Sequence, residues 1–497
     1  MIDGEGARSA PIAVTLDDLF RRAGVRHPHA LALADPPNRD AFAGGAPRKL
    51  SFAQADHAIS ACAARLRGLG LQTDSIVAMH LPNMVESIVT FLGVLRAGMI
   101  AVPLPLLWRK AEIRSALGRV GAKAIVTCSR NGTDEQAAIA MQSAADLFSV
   151  RHVCGFGHDL PDGLVPLDDI FSSEGIAAVS PRIGRDTSAA AITFNLGAER
   201  FVPVSRTHAD LVAGGLEIVR KSGAATDTPL LSTIPITSFA GIALTMMPWL
   251  ICGGSLHLHH GFEAEAFATQ CSEIAEGILV LPAPAISPIG KIGFIGPRQT
   301  IIALWRAPER FRAAKTWNGP SALVDVASFG EVGLIAARRG DNGLPAPIPL
   351  GPVDAPALSG VPAAIETART SLGTLALRGS MVPAPRSDQP TAPDGDGYVD
   401  TGFTCRPGPA DRTLIITGPP ADVIEVGGYC LRLSQIDALV SRADPDATVV
   451  ALPDGDLGHR LAGTAPDRKA LQALLRTEGI NPLVVGAFQP RGKPEAA

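Results

Sequence analysis

The chain lacks most of the features that mark a secreted, membrane-spanning or nucleic-acid-binding protein. Its seven cysteines are an odd number, scattered at 62, 128, 154, 252, 271, 405 and 430 with no close C-x-x-C pair. A disulfide framework or a paired-cysteine zinc site is therefore not expected, and a reduced, cytoplasmic interior is. Charge of one sign is also missing. Lys and Arg number 44 against 48 Asp and Glu, for a formal net charge of -4, so overall charge points to neither nucleic acid nor anionic membrane as a partner. No apolar run is long enough to cross a bilayer: the longest in the middle, Ile242 to Cys252, has about half the needed length and predicts a buried helix. Integral membrane insertion is not expected. The opening residues MIDGEGARSAPIAV carry acids and no apolar core of signal-peptide length. Aromatic residues are only 5% of the chain, which leaves few side chains that would name a substrate.

What is present is foldable. The chain has 497 residues, 46% hydrophobic and 19% charged, enough for several cores and more than one domain. Ser51 to Arg67 reads as a helix, with Ser51 and Gln54 as a capping box and Gly68 and Gly70 stopping it. Asp74 to Leu81 reads as a strand. A helix follows with Asn83 as N-cap, Glu86 in its first turn, and Met84, Ile88, Phe91, Leu92 and Leu95 at helical spacing. Met99 to Leu104 and Ala122 to Cys128 read as further strands, with a polar helix between them near Arg109 to Val120. This alternation predicts a mainly parallel sheet covered on both faces. It recurs with Pro229 to Ile236, the buried helix, and Gly254 to His260. After about residue 370 the texture turns to β: GTLALR (373–378) and RTLIIT (412–417), with a Pro/Asp/Gly-rich insert at 383–397 between them. Gly418-Pro419-Pro420 reads as a stiff linker to a small α/β tail with a helix at Leu433 to Val440 and a strand at Ala447 to Leu452.

Several segments carry a family likeness when taken in order. LSFAQADHAISACAARLRGLGLQTDSIVAMHLPNMVESIVTFLGVLRAGMIAVPL (50–104) is followed by GAKAIVT (121–127), IPITSFAGI (234–242), GTLALRG (373–379), YVDTGF (398–403) and ITGPPADVIEVGGYCLRLSQID (416–437). Together they resemble the AMP-binding, adenylate-forming superfamily of acyl-CoA synthetases, aryl-CoA ligases, firefly luciferase and peptide-synthetase adenylation domains. The resemblance implies an α/β fold: a large body of layered α/β sheets over residues 1–418, with a β-rich subdomain at about 340–418, and a small mobile C-terminal α/β domain over 419–497. It implies ATP, Mg²⁺ and coenzyme A as cofactors. Such enzymes join a carboxylate to AMP with release of pyrophosphate. Most then pass the acyl group to CoA after the C-terminal domain rotates; others load an acyl carrier protein.

The chemistry brings a carboxylate against a phosphate, so a site must neutralise charge and hold phosphates still. The family does this with a loop reading T-S-G-T-T-G-x-P-K-G-V and ending in x-x-x-H. Here the corresponding stretch is TFNLGAERFVPVSRTH (193–208). Thr193, Asn195, Gly197 and Thr207 take the nucleotide-loop positions; Asn195 replaces the serine, Leu196 the first glycine, Glu199 the second and Val202 the lysine. An altered nucleotide loop and a mere connector both remain open. Ser238, Phe239 and Gly241 take acyl-pocket positions, with Ser238 where the family has an aromatic residue or His. In Ser328-Phe329-Gly330-Glu331-Val332-Gly333, Phe329 and Gly330 match nucleotide positions. Gly333 takes the place of the metal-binding glutamate, which leaves Glu331 as a displaced metal candidate, on the same side if the segment is extended. Asp400 and Thr401 match nucleotide positions, but Phe403 replaces the ribose-binding aspartate and Pro419 an arginine that reaches the same ribose. Ala307-Pro308 matches the turn facing adenine, and Trp305 and Arg306 fill its glycine positions, where their side chains would crowd a nucleotide. Lys493 matches the catalytic lysine that bridges carboxylate and α-phosphate. His257, His259 and His260 read as structural, since no nearby Cys or carboxylate completes a metal set.

The functional expectation is thus a ligase by family, acting on a carboxylic acid, fatty by default, with an eroded ATP site. The alternatives are a catalytically inactive family member that binds or regulates, or an acyl-AMP ligase that loads a carrier protein.

Overall fold

A computed structural model of the protein describes residues 14–172, 187–197, 201–292, 295–313, 316–353, 364–383, 397–455 and 457–489. Four sheets organise them. In a seven-stranded sheet the order is Val165–Pro166, His152–Phe156, Ala124–Cys128, Ile76–His80, Ile100–Pro103, Ala189–Leu196 and Phe201–Thr207, parallel except for the last pair. An eight-stranded sheet runs Gly333–Arg338, Ala322–Phe329, Thr300–Trp305, Ile278–Pro282, Leu230–Ser232, Leu256–Leu258, Leu31–Ala34 and Lys49–Ser51, antiparallel only at its two ends. A six-stranded antiparallel sheet spans 348–418, and a four-stranded one spans 423–464. The α/β class with layered sheets is as the sequence led us to expect.

The apolar run Val85–Arg96 is buried at every residue and joins one core with Val77 and Met79 of the first large sheet and Leu33, Leu230 and Leu256 of the second. A helix buried all round must sit between layers. The preceding helix, Phe52–Gly68, carries the expected Ser51/Gln54 capping box. It approaches so closely that a Cβ on Gly93 would lie 2.7 Å from Cys62 Sγ.

One reading near this core needs correction, and another gains partners. Asn83 does not cap the helix; its amide donates to the Ser232 and His259 carbonyls at 2.9 and 3.1 Å, which ties the two large sheets together. The cap comes from a distant strand end instead, with the Val85 N–H donating to Asp35 Oδ1 at 2.8 Å. Glu86 does stand in the first turn, as expected. It is fully buried, and its carboxylate accepts from Arg39 at 2.6 and 2.8 Å and from Arg48 at 2.8 Å. Local spacing could not reveal partners brought in by folding.

The run 242–252 is buried as expected, save half-buried Ile251, and contains a π-helical turn at Ile242–Met246. Among the described residues no helix is long and apolar enough to cross a membrane.

Candidate functional site

A cavity of about 690 Å³ opens at the edge where the two large sheets meet the C-terminal sheet. Its walls follow the C-terminal ends of parallel strands: Pro105–Trp108 after Ile100–Pro103, Thr233–Pro235 after Leu230–Ser232, Pro282 of Ile278–Pro282, Leu304–Ala307 at the end of Thr300–Trp305, and Ser328–Glu331 after the body of Ala322–Phe329. That is where α/β sheets place their ligands, because connections diverge there. The lid is the hairpin of Val423–Val426 and Tyr429–Arg432, which contributes Glu425, Gly427, Gly428, Tyr429 and Cys430.

The stretch aligned with the phosphate loop is mostly strand. Ala189–Leu196 and Phe201–Thr207 pair antiparallel, with Asn195 opposite Val202 and Leu196 opposite Phe201. Their backbone groups therefore serve a ladder, and only residues 197–200 are left to connect the strands. Even this tip is engaged. Gly197 O accepts from Arg432 Nε at 2.9 Å and Gln435 Nε2 at 3.2 Å, and Leu196 O from Arg432 at 3.3 Å. Phe194 and Phe201 pack on Trp108 with ring centroids 5.5 and 4.4 Å apart. The alternation of apolar residues in FNLGAERFV is thus a hairpin signal. Ala198 and Glu199 lie outside the described residues, as does Lys493. Thr207 caps the helix His208–Ser222, accepting from Asp210 N at 3.1 Å.

The positions aligned with the adenosine site are filled by protein. Phe329 and Phe403 are 0% and 5% exposed and meet edge to face, with centroids 5.3 Å apart and planes at 89°. Asp400 spends its carboxylate on Thr374 Oγ1 at 2.9 Å and the Gly402 amide at 2.8 Å. The Thr401 hydroxyl donates to Leu375 O at 2.7 Å. None of these four residues lines the cavity; Ala307 does.

Glu331 does line it, but not on an extended segment: it sits in the turn between Ala322–Phe329 and Gly333–Arg338. One carboxylate oxygen accepts from Thr193 Oγ1 at 2.7 Å and from the Phe239 amide at 2.8 Å. Gly330, at φ +57°, has no room for a Cβ, which would come within 2.7 Å of Asn195 Oδ1. Beneath the turn lies Arg206, 1% exposed. It donates to the carbonyls of Met381 at 2.5 Å, Val332 at 3.3 Å and Glu331, and its guanidinium lies 3.5 Å over the Phe239 ring. Burial pulls its pKa down to about 10. Among the described residues no cluster of three or more His, Cys, Asp or Glu could hold a metal.

Ser238 and Arg306 face the cavity together. Ser238 Oγ accepts from the Gly241 amide at 3.1 Å and from Arg306 at 3.0 Å. Gly241 itself is sterically required, since a Cβ would fall 2.1 Å from Pro235 O. Trp305 is turned aside by its N–H bond to Asp325 at 2.7 Å, leaving Arg306 as the intruding cation. Arg310 bridges to the lid, 3.7 Å from Glu425 and 3.1 Å from Gly455 O. Burial raises the Glu425 pKa against the pull of the Gly428 amide and Arg310.

Of the residues singled out from sequence, the cavity thus gathers Asn195, Leu196, Ser238, His260, Trp305, Arg306, Ala307, Gly330 and Glu331. Thr193 and Phe239 stand one hydrogen bond behind them, and Gly197 supports the lid. Arg206, Arg310, Glu425 and Tyr429 went unread. An arginine in a polar strand carries no local signal of burial. The histidines have structural partners: His257 with Ser255 at 3.1 Å, His259 with Gln270 at 2.7 Å and His260 with Asn131 at 2.8 Å. Burial drops His260 to about 4, so it faces the cavity uncharged.

The turn after the helix Arg468–Thr477 also docks on the helix Lys110–Val120, where Ala111 N donates to Gly479 O at 3.2 Å. Glu112 lies under this contact and burial raises its pKa to about 7, against hydrogen bonds from the Arg109, Glu112 and Asn481 backbones. A raised carboxylate pKa means the folded protein keeps a proton that the unfolded chain releases near its ordinary value of 4.5. Stability should therefore fall as pH rises from about 4.5 to 7, with the full penalty above 7. We expect Glu112→Gln to melt higher than the native protein at pH 8 but not at pH 4.5; melting curves offset equally at both would refute this.

Comparison with known proteins adds the following. The family described as AMP-binding enzyme matches residues 20–167. A 2-hydroxy-7-methoxy-5-methyl-1-naphthoate–CoA ligase of Streptomyces carzinostaticus is 26% identical over 470 residues, 88% of this chain and 81% of that protein. A salicyl-AMP ligase/salicyl-S-ArCP synthetase of Mycobacterium tuberculosis is 29% identical over 200 residues, 40% of this chain and 34% of that one. The structure of an amide bond synthetase from Marinactinospora thermotolerans superposes with a TM-score of 0.71 at 18% identity, covering 95% of this chain and 94% of the other.

Proposed function

The chain belongs to the AMP-binding, adenylate-forming superfamily, and from that premise we propose that it binds a small apolar carboxylic acid without carrying ATP through to an acyl-adenylate. The observation that carries this reading is the Phe329–Phe403 contact, which puts two buried rings where the family's ribose carboxylate would work. A buried aromatic pair offers no hydrogen bond to a ribose hydroxyl. The laddered hairpin of 189–207 and the Glu331 oxygen held by Thr193 and Phe239 point the same way. These residues do not fit Mg-ATP. The cavity, by contrast, is open, mostly apolar and of ligand size. In this reading residues 1–418 form the body, and residues 419–497 form a lobe that closes the cavity and must lift for entry.

A second reading keeps the ligase activity, with CoA or a carrier protein as acceptor. It is favoured by the likeness to a naphthoate–CoA ligase along 88% of the chain. Two measurements separate them. We expect no rise in melting temperature with Mg-ATP at about 5 mM, where a ligand at 100 times its Kd would add about 2.7 kcal/mol. We also expect pyrophosphate exchange at background with a panel of benzoic, naphthoic and fatty acids. Exchange above background that disappears in Lys493→Ala overturns the proposal and establishes the ligase.

A further inference from the structure

Arg306 is the one arginine of the cavity wall whose charge is not already matched. Arg310, its neighbour in the wall, is paired with Glu425, and the Glu425 carboxylate also takes the Gly428 amide at 2.7 Å. Glu331, the other wall carboxylate, is held by Thr193 and Phe239. Among the described residues no carboxylate lies within ion-pair distance of Arg306; its hydrogen bond is to the neutral Ser238 hydroxyl at 3.0 Å. That bond fixes the fork, because Ser238 is itself pinned at the start of its helical turn by Gly241 N. From the other side the lid leaves space: a Cβ on Gly428 would lie 3.9 Å from Arg306 Cδ. A guanidinium held in place, half-buried, with Glu425 acting on it only from beyond contact and no carboxylate in ion-pair contact among the described residues, is prepared for an anion.

The remaining walls say what should be attached to that anion. Trp108, Phe194, Phe201, Pro284, Pro288 and Leu304 line the same cavity, and the first three already pack as a ring cluster. Proline and tightly packed rings make stiff walls. A flexible chain would lose rotamer freedom between them that a rigid ring system does not have to lose.

We propose that Arg306, oriented by Ser238, is the carboxylate anchor of this cavity and that its ligand is a rigid arenecarboxylate whose ring system lies against Trp108, Phe194 and Phe201. This rests on the reading of the cavity as an acid-binding site. It gives the substitution at the family's glycine turn a use. Where a nucleotide would be crowded out, the arginine supplies the positive charge for the acid.

The test is titration calorimetry of the full chain with 2-naphthoate and with its neutral isostere 2-naphthamide, backed by quenching of the tryptophans in the cavity. The native protein should prefer naphthoate by at least about tenfold, the range for a hydrogen bond to a charged group. Arg306→Gln should weaken naphthoate about 10- to 100-fold and leave naphthamide unchanged, so that the preference vanishes. Arg306→Lys should restore only part of it, because a point charge lacks the fork. Naphthoate bound equally by the native protein and Arg306→Gln overturns the anchor while leaving the acid-binding reading intact. Failure of the native protein to bind naphthoate at millimolar concentration removes both. Should Arg306→Gln fail to fold, the naphthoate-to-naphthamide preference of the native protein decides alone, and a ratio near one overturns the anchor.

Discussion

Phe403→Asp, which restores the residue type the family carries at this position, is expected to destabilise the protein and to leave it unable to bind ATP. Phe403 is 5% exposed and packs edge to face on a fully buried Phe329. Losing the ring forfeits a buried aromatic, about 3–5 kcal/mol by analogy with Phe→Ala changes, and the new carboxylate would be buried in an apolar contact with Phe329. Urea unfolding at neutral pH measures the loss. Mg-ATP added to the folded variant should produce no shift in the midpoint. If the variant were as stable as the native protein and gained stability from Mg-ATP, the apolar plug would be incidental, and the ATP site would be one substitution from repair.

Arg206→Met should have a comparable effect from a different cause. The arginine is buried and donates to three carbonyls, those of Met381, Val332 and Glu331, while lying on the face of Phe239. Methionine fills part of the volume but leaves those acceptors without their donor, at about 1–3 kcal/mol for each one that stays dry. The cation–π contact adds about 2 kcal/mol when desolvated. We expect a loss of about 3–5 kcal/mol in unfolding free energy. A lower affinity for any cavity ligand should accompany it, since the Glu331 turn and the Phe239 turn both rest on Arg206. Arg206→Lys should recover less than half, because one ammonium cannot serve carbonyls in two separate turns. A fully stable Arg206→Met would mean that water enters and satisfies the carbonyls.

The two residues differ in how well the sequence announces them. Phe403 is legible because it stands inside YVDTGF, a segment whose family pattern is recognisable, so the departure shows. Arg206 is not. In the sequence SRTH reads only as the end of the nucleotide loop, whereas in the structure Thr207 caps the helix His208–Ser222. Nothing nearby indicates that the arginine turns inward to meet residues more than a hundred positions away. The same holds for the partners of Asn83 and Glu86, which come from distant segments of the chain that local spacing cannot bring together. Arg306 lies between these cases. Its intrusion into the site was legible, but its seat on Ser238 was not.

By itself the sequence determined the class of fold, the alternation of strands and helices, the buried helix at 242–252 and the family frame. Each depends on periodicity, caps and motif order, which act over a few residues and survive in one dimension. It also marked, by resemblance, positions where the family's charged residues are absent, because a lost charge is a property of the residue. Only the tertiary structure decided what the replacements do. It closed Thr193–Thr207 into a ladder, set Phe403 against Phe329, tied Glu331 to Thr193 and Phe239, and left Arg306 as the unmatched cation over an apolar cavity. Those outcomes depend on which groups lose water together, and desolvation is decided by the packing of distant segments.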